Sequence, residues 1–368
     1  MQVQRVEMAA AGTESWTVLG DDDVPVGPVE RYLAYLTDIE RSPNTVRAYA
    51  FDLKNYWEFL SRCDLDWRQA RLEDIGEYVA WLRLPPAGRD GTVALLPSAD
   101  GHVSASTVNR KLAALAAFYQ HQARQGADVG ELLTAWHPAG RRGGWKPFLH
   151  HISKDKPRAR RVVGLKAPKK LPRVLTAGEV QAILDACVHL RDRFFFALLY
   201  DSGMRAGEAL GLRHEDIAAA ERQVTIVPRA NANRARCKSR QQRTVPVSAA
   251  LIRLYGDYLH AEYGDLDCDY VFVNLFAGPR GQAMSYAAVY DLVRRIRRRT
   301  GIDFDPHWFR HSAATRMLRD RVPIEVVSSL LGHASVVTTQ QVYGHLTAAD
   351  ARQALEAAGW FTGNEVTW

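Results

Sequence analysis

The sequence contains few cysteines, no long apolar run and no low-complexity tract. Its four cysteines are scattered and form no CxxC pair, which argues against a zinc site or a disulfide framework. The longest candidate apolar run, Phe194 to Tyr200, is much too short to span a bilayer. The first residues lack the basic-then-apolar pattern of a secretory signal. We therefore expect a folded protein of the reducing cytoplasm, with no membrane segment and no bound metal.

The chain has 368 residues, enough for two ordinary domains with separate cores. Hydrophobic residues make up 47% of it and charged residues 24%, a balance typical of folded globular proteins. Its 48 Lys and Arg exceed its 41 Asp and Glu, so the net charge is +7 and the pI is near 9.2. This excess favours a polyanionic partner without identifying one.

The N-terminal third is organised as a helical domain behind a short acidic segment. Residues 1–27 hold one base and five acids without periodicity, which predicts a flexible acidic extension. Residues 28–137 contain four amphipathic helices with the 3.6-residue apolar period. The helix starts SPNTVRAY and SASTVNRK put polar and basic side chains beside exposed backbone amides that can bind phosphate. These side chains are Thr45, Arg47, Asn109, Arg110 and Lys111. Taken alone, the segment favours the simpler interpretation of capping residues and a solvated face.

Residues 138–173 form a predicted basic linker in which periodicity fails. Twelve bases and one acid between Arg141 and Arg173 give this stretch a charge of +11. Such a run either solubilises a linker or contacts the DNA backbone without reading its sequence. The C-terminal domain, residues 174–368, then combines helices with two short strands around Gln223–Pro228 and Thr244–Val247. Six bases and no acid lie between Arg229 and Arg243, at the tip of this predicted hairpin. The helix from Ser285 to Arg299 carries five arginines, which suit either a DNA contact or a solvated face.

The most informative stretch runs from Asp305 to Leu346. His307 and Arg310 lie about one helical turn apart and can present an imidazole and a guanidinium to one phosphate. Gly332 is the residue type that ends helices in the left-handed conformation, and His333 follows it. Tyr343 comes ten positions later. Each residue alone has an ordinary structural explanation, so only the complete set, in this order along the chain, is specific enough to indicate a function.

That ordered set, with GMRAGEALGLRHEDI, HWFRH, LLGH and TTQQVYGHL, resembles the tyrosine recombinase family, which includes phage integrases, chromosome-dimer resolvases and related transposases. The resemblance implies that Tyr343 is the nucleophile, assisted by Arg205, Lys238, His307, Arg310 and His333. It also makes Glu208 the carboxylate that orients Arg205. Lys238 is preferred over neighbouring bases because Arg243 follows it by five residues, with Val245-Pro246 just beyond, as in the family.

The resemblance implies a mainly α fold with a small antiparallel β-sheet: an N-terminal helical, SAM-like core-binding domain and an α+β catalytic domain. Double-stranded DNA would be the partner, with Arg240 and Arg243 joining the helix-start residues as DNA contacts. The protein would assemble as a tetramer on two paired sites, with accessory recombination proteins as possible partners, at the bacterial nucleoid. A C-terminal helix after Tyr343 would dock on a neighbouring protomer.

The chemistry explains why these residue types suit the reaction. Two arginines match the charge that grows on the non-bridging oxygens of an attacked phosphodiester. A phenol, with a pKa of about 10, needs a proton acceptor such as His307. Lys238 can protonate the departing 5′-oxygen, and His333 can donate to a phosphate oxygen. A 3′-phosphotyrosyl link retains the bond energy, so no cofactor is required.

Three other functions use parts of the same pattern. A type IB topoisomerase would share the tyrosine chemistry and relax supercoiled DNA as a monomer. A DNA-binding regulator would use the fold without catalysis. A zinc hydrolase would need His307 and His311 as ligands, but Trp308 stands where HExxH enzymes place glutamate.

Overall fold

The computed structural model of the chain describes residues 1–8, 13–89, 102–127, 129, 134–137, 158–161, 163–167, 172–239, 241–333, 335–337 and 339. The chain divides into two units, Met1–Lys169 and Lys170–Trp368. The first unit therefore includes most of the segment predicted as a separate basic linker. Within that segment, β4 (Arg158–Arg161) pairs antiparallel with β3 (Thr134–His137). The sequence pattern did not indicate this pairing, because the two strands are short and far apart in the chain.

The N-terminal segment differs from the predicted flexible extension. Strands β1 (Gln2–Met8) and β2 (Thr13–Leu19) form an antiparallel hairpin with Gln2 opposite Leu19. Val18 is fully buried in the core of the helical unit. The Thr17 hydroxyl donates to Glu30, and the Ser15 hydroxyl lies 3.0 Å from that of Thr37. The hairpin is thus an ordered part of the first unit, held by apolar burial, by hydroxyl contacts and by the 2.9 Å ion pair between Arg5 and Glu14.

Four helices complete the described core of the first unit: α1 (Gly27–Asp38), α2 (Pro43–Arg62), α3 (Leu72–Arg83) and α4 (Ala105–Arg124). The predicted starts of α2 and α4 are correct. Ser42 accepts a hydrogen bond from the Thr45 amide, and Ser104 accepts one from the Thr107 amide, which satisfies amides that lack a partner within the helix.

Aromatic side chains fill much of this core. The rings of Trp57 and Phe118 meet edge to face with centroids 5.2 Å apart, an arrangement that suits their quadrupoles. The buried hydroxyls of Tyr56 and Tyr119 lie 2.7 Å apart, and Tyr119 donates to the carbonyl of Trp67 at 2.7 Å. These two tyrosine hydroxyls are therefore paired, as burial favours, whereas the hydroxyl of the buried Tyr78 has no hydrogen-bond partner among the described residues.

The described elements of the second unit are seven α-helices, a 3₁₀-helix (His214–Asp216), a π-helix (Leu259–Tyr263) and one three-stranded sheet. The α-helices are α5 (Ala177–Asp185), α6 (Leu190–Ser202), α7 (Ala206–Leu210), α8 (Ala249–Tyr258), α9 (Tyr286–Thr300), α10 (Pro306–Arg319) and α11 (Ile324–Leu331). The sheet has the order β5 (Ile217–Ala218), β6 (Gln223–Ile226) and β7 (Arg243–Pro246), all antiparallel. The predicted class, mainly helical with small antiparallel sheets, is confirmed.

Helix α6 lies at the centre of this unit. Phe194, Phe195, Phe196, Leu198 and Leu199 are at most 1% exposed, so the helix is apolar on nearly every side. It ends at Gly203, which has φ +67° and allows the chain to turn into α7. In the described part of the chain, no helix combines the length and the apolarity that crossing a membrane requires.

Candidate active site

Arg310 is the most deeply buried cation of the second unit, with only 1% of its surface exposed. It is carried by α10, which starts where Asp305 accepts a hydrogen bond from the His307 amide. Nη1 donates to the carbonyl of Gly203 at 2.9 Å, and Nη2 donates to the carbonyl of Leu331 at 2.8 Å. Those carbonyls stand at the C-terminal ends of α6 and α11, where helix dipoles favour a positive charge. The two carbonyls and the helix dipoles thus offset the cost of burying a guanidinium charge, which cannot be removed by loss of a proton.

His333 completes the surroundings of Arg310. Its Nε2 lies 2.8 Å from Arg310 Nη2, and its Nδ1 lies 2.8 Å from the hydroxyl of the buried Thr339. Because a guanidinium can only donate, Nε2 must be the acceptor, and the ring proton belongs on Nδ1. Burial, followed by the charges of Arg310 and Arg205, lowers the pKa of His333 to about 4. In this state the imidazole is neutral, and its Nε2 accepts a hydrogen bond, whereas the sequence predicted a donor.

Arg205 lies beside this group, at the start of α7. Its Nη1 donates to Glu208 Oε1 at 2.9 Å, while its backbone amide donates to Oε2 at 2.9 Å. The Glu208 side chain is completely buried. Burial alone would raise the pKa of Glu208, but the hydrogen bonds and charges of Arg243 and Arg205 hold it below its usual value. An ionised carboxylate therefore holds Arg205, in the geometry predicted for the pair.

Arg243 has a different role from the predicted DNA contact. Its Nη1 and Nη2 donate to Glu208 Oε1 and Oε2 at 3.2 and 2.6 Å, and its Nε donates to the carbonyl of Leu330 at 2.9 Å. Only 10% of the side chain is exposed. Since these donors are directed at protein acceptors, the side chain is part of the internal structure of the site.

Lys238 reaches the same region through the loop between β6 and β7. Asn233 donates to the carbonyls of Leu210 and Met284, which fixes the start of the loop on the unit. Further along, the Cys237 thiol lies 3.7 Å from Glu208 Oε1. Lys238 itself is exposed, and its charge is among those that lower the pKa of His307. The charge of Lys238 therefore acts on the imidazole of His307, the residue with which the sequence pattern groups it. The neighbouring prediction, Arg240, lies outside the described residues.

Two imidazoles occupy the exposed end of the site. His307 and His311, one turn apart on α10, have ring centroids 4.5 Å apart. Loss of hydration, then the charge of Arg310, lowers the pKa of His307, against the opposing effect of Asp305. Burial, with His307 and Arg310 nearby, lowers the pKa of His311 to about 4. His311 was considered only as a possible metal ligand, although its i, i+4 spacing from His307 already placed the two rings together.

No group of three His, Cys, Asp or Glu side chains within the described ranges is arranged to hold a metal ion. The described donors are instead guanidinium, ammonium and imidazole groups, which suit an anion. The site therefore joins Arg205, Lys238, His307, Arg310 and His333 from four separate segments, because His307 and Arg310 share α10. Tyr343 lies outside the described residues; Thr339 is the last described position before it.

The predicted DNA contacts of the first unit divide into two groups. Arg47 is exposed, with its guanidinium 5.2 Å from the ring centre of Trp16. The Thr45 amide donates to the capping Ser42 hydroxyl at 3.2 Å, and the two hydroxyls lie 2.8 Å apart. Arg110 pairs with Asp52 but keeps about half of its side chain exposed, at 51%. These three side chains remain available to a partner on one side.

Asn109 and Lys111 are instead internal. The Asn109 amide group exchanges two 2.8 Å hydrogen bonds with the backbone of Leu165. Lys111 donates to the buried Asp52 at 3.2 Å and to Asn55 at 2.5 Å. Burial lowers the pKa of Lys111, while Asp52 opposes that effect. Both side chains hold the unit together, in contrast to the predicted contact with phosphate.

Comparison with known proteins gives two family matches that follow the two units. Residues 29–126 match the phage integrase N-terminal SAM-like domain, and residues 173–350 match the phage integrase family. Transposase A from transposon Tn554 of Staphylococcus aureus is 37% identical over 354 residues, which cover 96% of each chain. Tyrosine recombinase XerD of Corynebacterium glutamicum is 28% identical over 328 residues, covering 86% of this chain and 92% of that protein.

Solved structures share the fold at lower identity. The XerH site-specific recombinase bound to palindromic difH substrate has a TM-score of 0.58 at 20% identity, covering 87% of this chain and 80% of that one. A λ integrase dimer bound to a COC′ core site also has a TM-score of 0.58, at 15% identity, covering 86% and 76% of the two chains. These similarities concern the arrangement of the backbone.

Proposed function

Since the chain belongs to the phage integrase family of tyrosine recombinases, which cut and rejoin DNA strands, we propose that the pocket around Arg310 is its strand-cleavage site and that Tyr343 is its nucleophile. The observation that carries this proposal is the position of Arg310. Its buried guanidinium is held by Gly203, Leu331 and His333, beside the Arg205–Glu208 pair. The Gly203 carbonyl that Arg310 binds lies two residues before Arg205, so these contacts hold two permanent cations near each other.

Arg205 and Arg310 bind the scissile phosphate in this proposal. Attack by the tyrosine oxygen increases the negative charge on the two non-bridging oxygens, and planar guanidinium groups can donate to both. Donors fixed before the reaction stabilise that charge without having to reorganise. Glu208 serves this purpose by holding Arg205 through its side chain and its amide.

His307 accepts the proton of Tyr343 as the oxygen attacks phosphorus. The lowered pKa of His307 keeps its imidazole neutral at pH 7, so a lone pair is available. Lys238 gives a proton to the 5′-oxygen as the phosphorus–oxygen bond breaks. One bond forms and one breaks, and the 3′-phosphate passes to the tyrosine. Attack by another strand's 5′-hydroxyl reverses these steps, with the proton returning to Tyr343.

His333 contributes to the same transition state after a change of tautomer. The Thr339 hydroxyl can either accept from Nδ1 or donate to it. When DNA displaces the contact between Arg310 and Nε2, the proton can therefore move to Nε2, while Thr339 keeps a hydrogen bond to the ring. His333 is then able to donate to a phosphate oxygen, in the role that the sequence predicted.

The biological role that this similarity favours is movement of a genetic element. Identity of 37% across 96% of both chains favours a transposase like the Tn554 protein. We expect the protein to act on double-stranded DNA as a tetramer on two paired sites, in the cytoplasm at the nucleoid.

A nicked suicide substrate tests the proposal. The substrate is duplex DNA from the flanks of the protein's own gene, nicked so that the short strand diffuses away after cleavage and the covalent intermediate accumulates. Wild-type protein is expected to form a covalent complex that survives SDS, with EDTA present, and Tyr343→Phe is expected to form none. Equal trapping by Tyr343→Phe would contradict the assignment. Relaxation of supercoiled DNA by monomers, without exchange between paired sites, would favour a topoisomerase-like activity.

A further inference from the structure

Arg243, the first residue of β7, connects two elements that have no hydrogen-bond ladder between them. Its Nη1 and Nη2 donate to the two carboxylate oxygens of Glu208 in α7. Its Nε donates to the Leu330 carbonyl near the end of α11. A guanidinium is planar and rigid, so such a fork sets both the distance and the angle between the groups that it joins.

Each of these two contacts leads directly to a residue of the proposed site. Glu208, on one side, binds both the side chain and the amide of Arg205. On the other side, Leu330 comes three residues before His333 in the turn that ends α11. The turn is pressed against Arg243: a Cβ atom added to Gly332 would lie 2.7 Å from Arg243 Nη1. The guanidinium therefore fills the space between Arg205 and the His333 turn.

A third connection runs through the loop before β7. The Cys237 thiol contacts the same Glu208 Oε1 that accepts from Arg243 and Arg205. Lys238 follows Cys237 directly and lies five residues before Arg243. The ion pair of Glu208 and Arg243 is thus in contact with the segments that carry the residues proposed to bind phosphate and to donate protons.

We propose that Arg243 is a positioning residue for strand cleavage, which holds Arg205, Lys238 and the His333 turn in register without contacting DNA. This inference rests on the proposed function. The role is distinct from that of a DNA contact, because the guanidinium faces Glu208 and Leu330. It is also distinct from a general stabilising ion pair, because the groups that it joins all belong to the reaction site.

The test compares Arg243→Lys with a matched control, Arg229→Lys. Lysine keeps the charge at both positions but cannot form a two-pronged contact. Arg229 makes an equivalent fork to the buried Asp216, at 2.7 and 2.9 Å, and that fork reaches no residue of the proposed site. Both variants lose the same kind of internal ion pair. Comparing the two variants therefore distinguishes misplacement of the site residues from a general loss of stability.

For Arg243→Lys, covalent trapping at saturating suicide substrate is expected to slow by about 10- to 100-fold, since misplacement of reacting groups by about 1 Å has effects of this size. Affinity for the same DNA, measured by fluorescence anisotropy, should stay within about twofold of wild type. Arg229→Lys should trap at nearly the wild-type rate. This combination supports the positioning role.

Normal trapping by Arg243→Lys would overturn the inference alone. Weaker DNA binding by Arg243→Lys with normal trapping at saturation would also overturn it, because that result identifies a DNA contact. Equal slowing of trapping in both variants would overturn it as well, because that result identifies a general loss of stability. Wild-type protein that forms no covalent complex on its own flanking DNA would overturn the proposed function together with this inference.

Chemical rescue keeps the test decisive if Arg243→Lys melts below the assay temperature. Arg243→Ala is then assayed with millimolar methylguanidinium, which can replace the missing fork, and with methylammonium as a control. Recovery of trapping with methylguanidinium alone supports the inference. Refolding with methylguanidinium, judged by circular dichroism, without recovery of trapping overturns it.

Discussion

At the scale of single residues, Arg310 is held by acceptors from two helix ends and one imidazole, so its replacement is a direct test of the phosphate pocket. Arg310→Lys keeps the charge but loses the planar set of donors. We expect the rate of covalent trapping to fall by about 10²- to 10³-fold, the usual cost of removing one fixed donor to a developing charge.

The matched control for this prediction is Arg316→Lys on the same helix. Arg316 stacks 4.4 Å from the ring centre of Tyr200 and donates to that residue's carbonyl at 3.5 Å, away from Arg310. Its variant should trap DNA at nearly the wild-type rate. If both variants lose activity equally, the loss reflects destabilisation of α10 and not removal of the phosphate contact.

The imidazoles of the site predict how stability depends on pH. His311 and His333 have pKa values lowered to about 4, against about 6.5 in an unfolded chain. Between these values the unfolded state binds more protons. The stabilising contribution is therefore complete above about pH 6.5 and is lost progressively as the pH falls toward about 4. Linkage limits the slope to about 1.4 kcal/mol per pH unit for each imidazole.

Thermal melts between pH 7.5 and pH 4.5 measure this effect. The melting temperature of wild-type protein should fall as the pH is lowered, and His311→Gln should reduce the steepness of that fall. His260→Gln, which removes an exposed imidazole from the short π-helix Leu259–Tyr263 after α8, is the control for removing an imidazole as such. An equally steep fall in His311→Gln would show that His311 does not titrate in the way its surroundings require.

At the scale of elements, the turn that ends α11 depends on Gly332. Its φ of +63° is unfavourable for other residues by about 1–2 kcal/mol, and a methyl group there would also meet the Arg243 guanidinium at 2.7 Å. Gly332→Ala should therefore lower the free energy of unfolding by more than 1 kcal/mol, on the scale of that strain, and should slow covalent trapping.

Gly256→Ala is the matched substitution. Gly256 lies inside α8 with no atom within 4 Å of an added Cβ. Alanine should stabilise the protein there by about 0.4–1 kcal/mol and leave trapping unchanged. Urea unfolding and the suicide-substrate assay measure both effects. A Gly332→Ala variant as stable and as active as Gly256→Ala would mean that the turn is not constrained by Arg243.

Local chemistry explains which elements the sequence predicted. The helix starts at Ser42 and Ser104 were predictable because the capping side chain and the amide that it binds are only three residues apart. The N-terminal hairpin was missed because its stability comes from burying Val18 against distant helices, and net charge carries no information about that.

Tertiary partners explain which of the predicted site residues the fold brings together. The order of motifs sufficed to group Arg205, Lys238, His307, Arg310 and His333, because the fold brings those segments together. The roles of Arg243, Lys111 and Asn109 depend on Glu208, Asp52 and the backbone of Leu165, all more than 30 residues away in the chain. A basic or polar residue at a helix start has the same local pattern whether it faces DNA or a buried acid.

At the scale of the whole molecule, charge is concentrated unevenly along the chain. The stretch from Arg141 to Arg173 carries +11, whereas the complete chain carries +7, so the rest sums to −4. Most of that stretch lies outside the described residues, and the prediction for it rests on charge alone. Bases that contact phosphates release counterions, and each such contact adds about 0.9 to the slope of log K against log salt concentration.

Replacing five of these bases with glutamine tests whether the basic stretch binds DNA backbone. The substitutions are Arg141→Gln, Arg142→Gln, Lys146→Gln, Lys154→Gln and Lys156→Gln. We expect weaker binding to DNA of any sequence and a salt slope reduced by up to about 4.5, at about 0.9 for each lost contact. Trapping at saturating DNA should be unchanged, because these bases contact no reacting atom in the proposed mechanism.

The control removes the same amount of charge from scattered positions. Its substitutions are Arg62→Gln, Arg68→Gln, Arg222→Gln, Arg253→Gln and Arg319→Gln. Both variants have the same net charge, so long-range attraction falls equally, and only direct phosphate contacts can make their salt slopes differ. A smaller salt slope in the variant of the basic stretch than in the scattered control would show that the basic stretch contacts the DNA backbone. Identical slopes would instead make the stretch a solvated linker whose charge acts only at a distance.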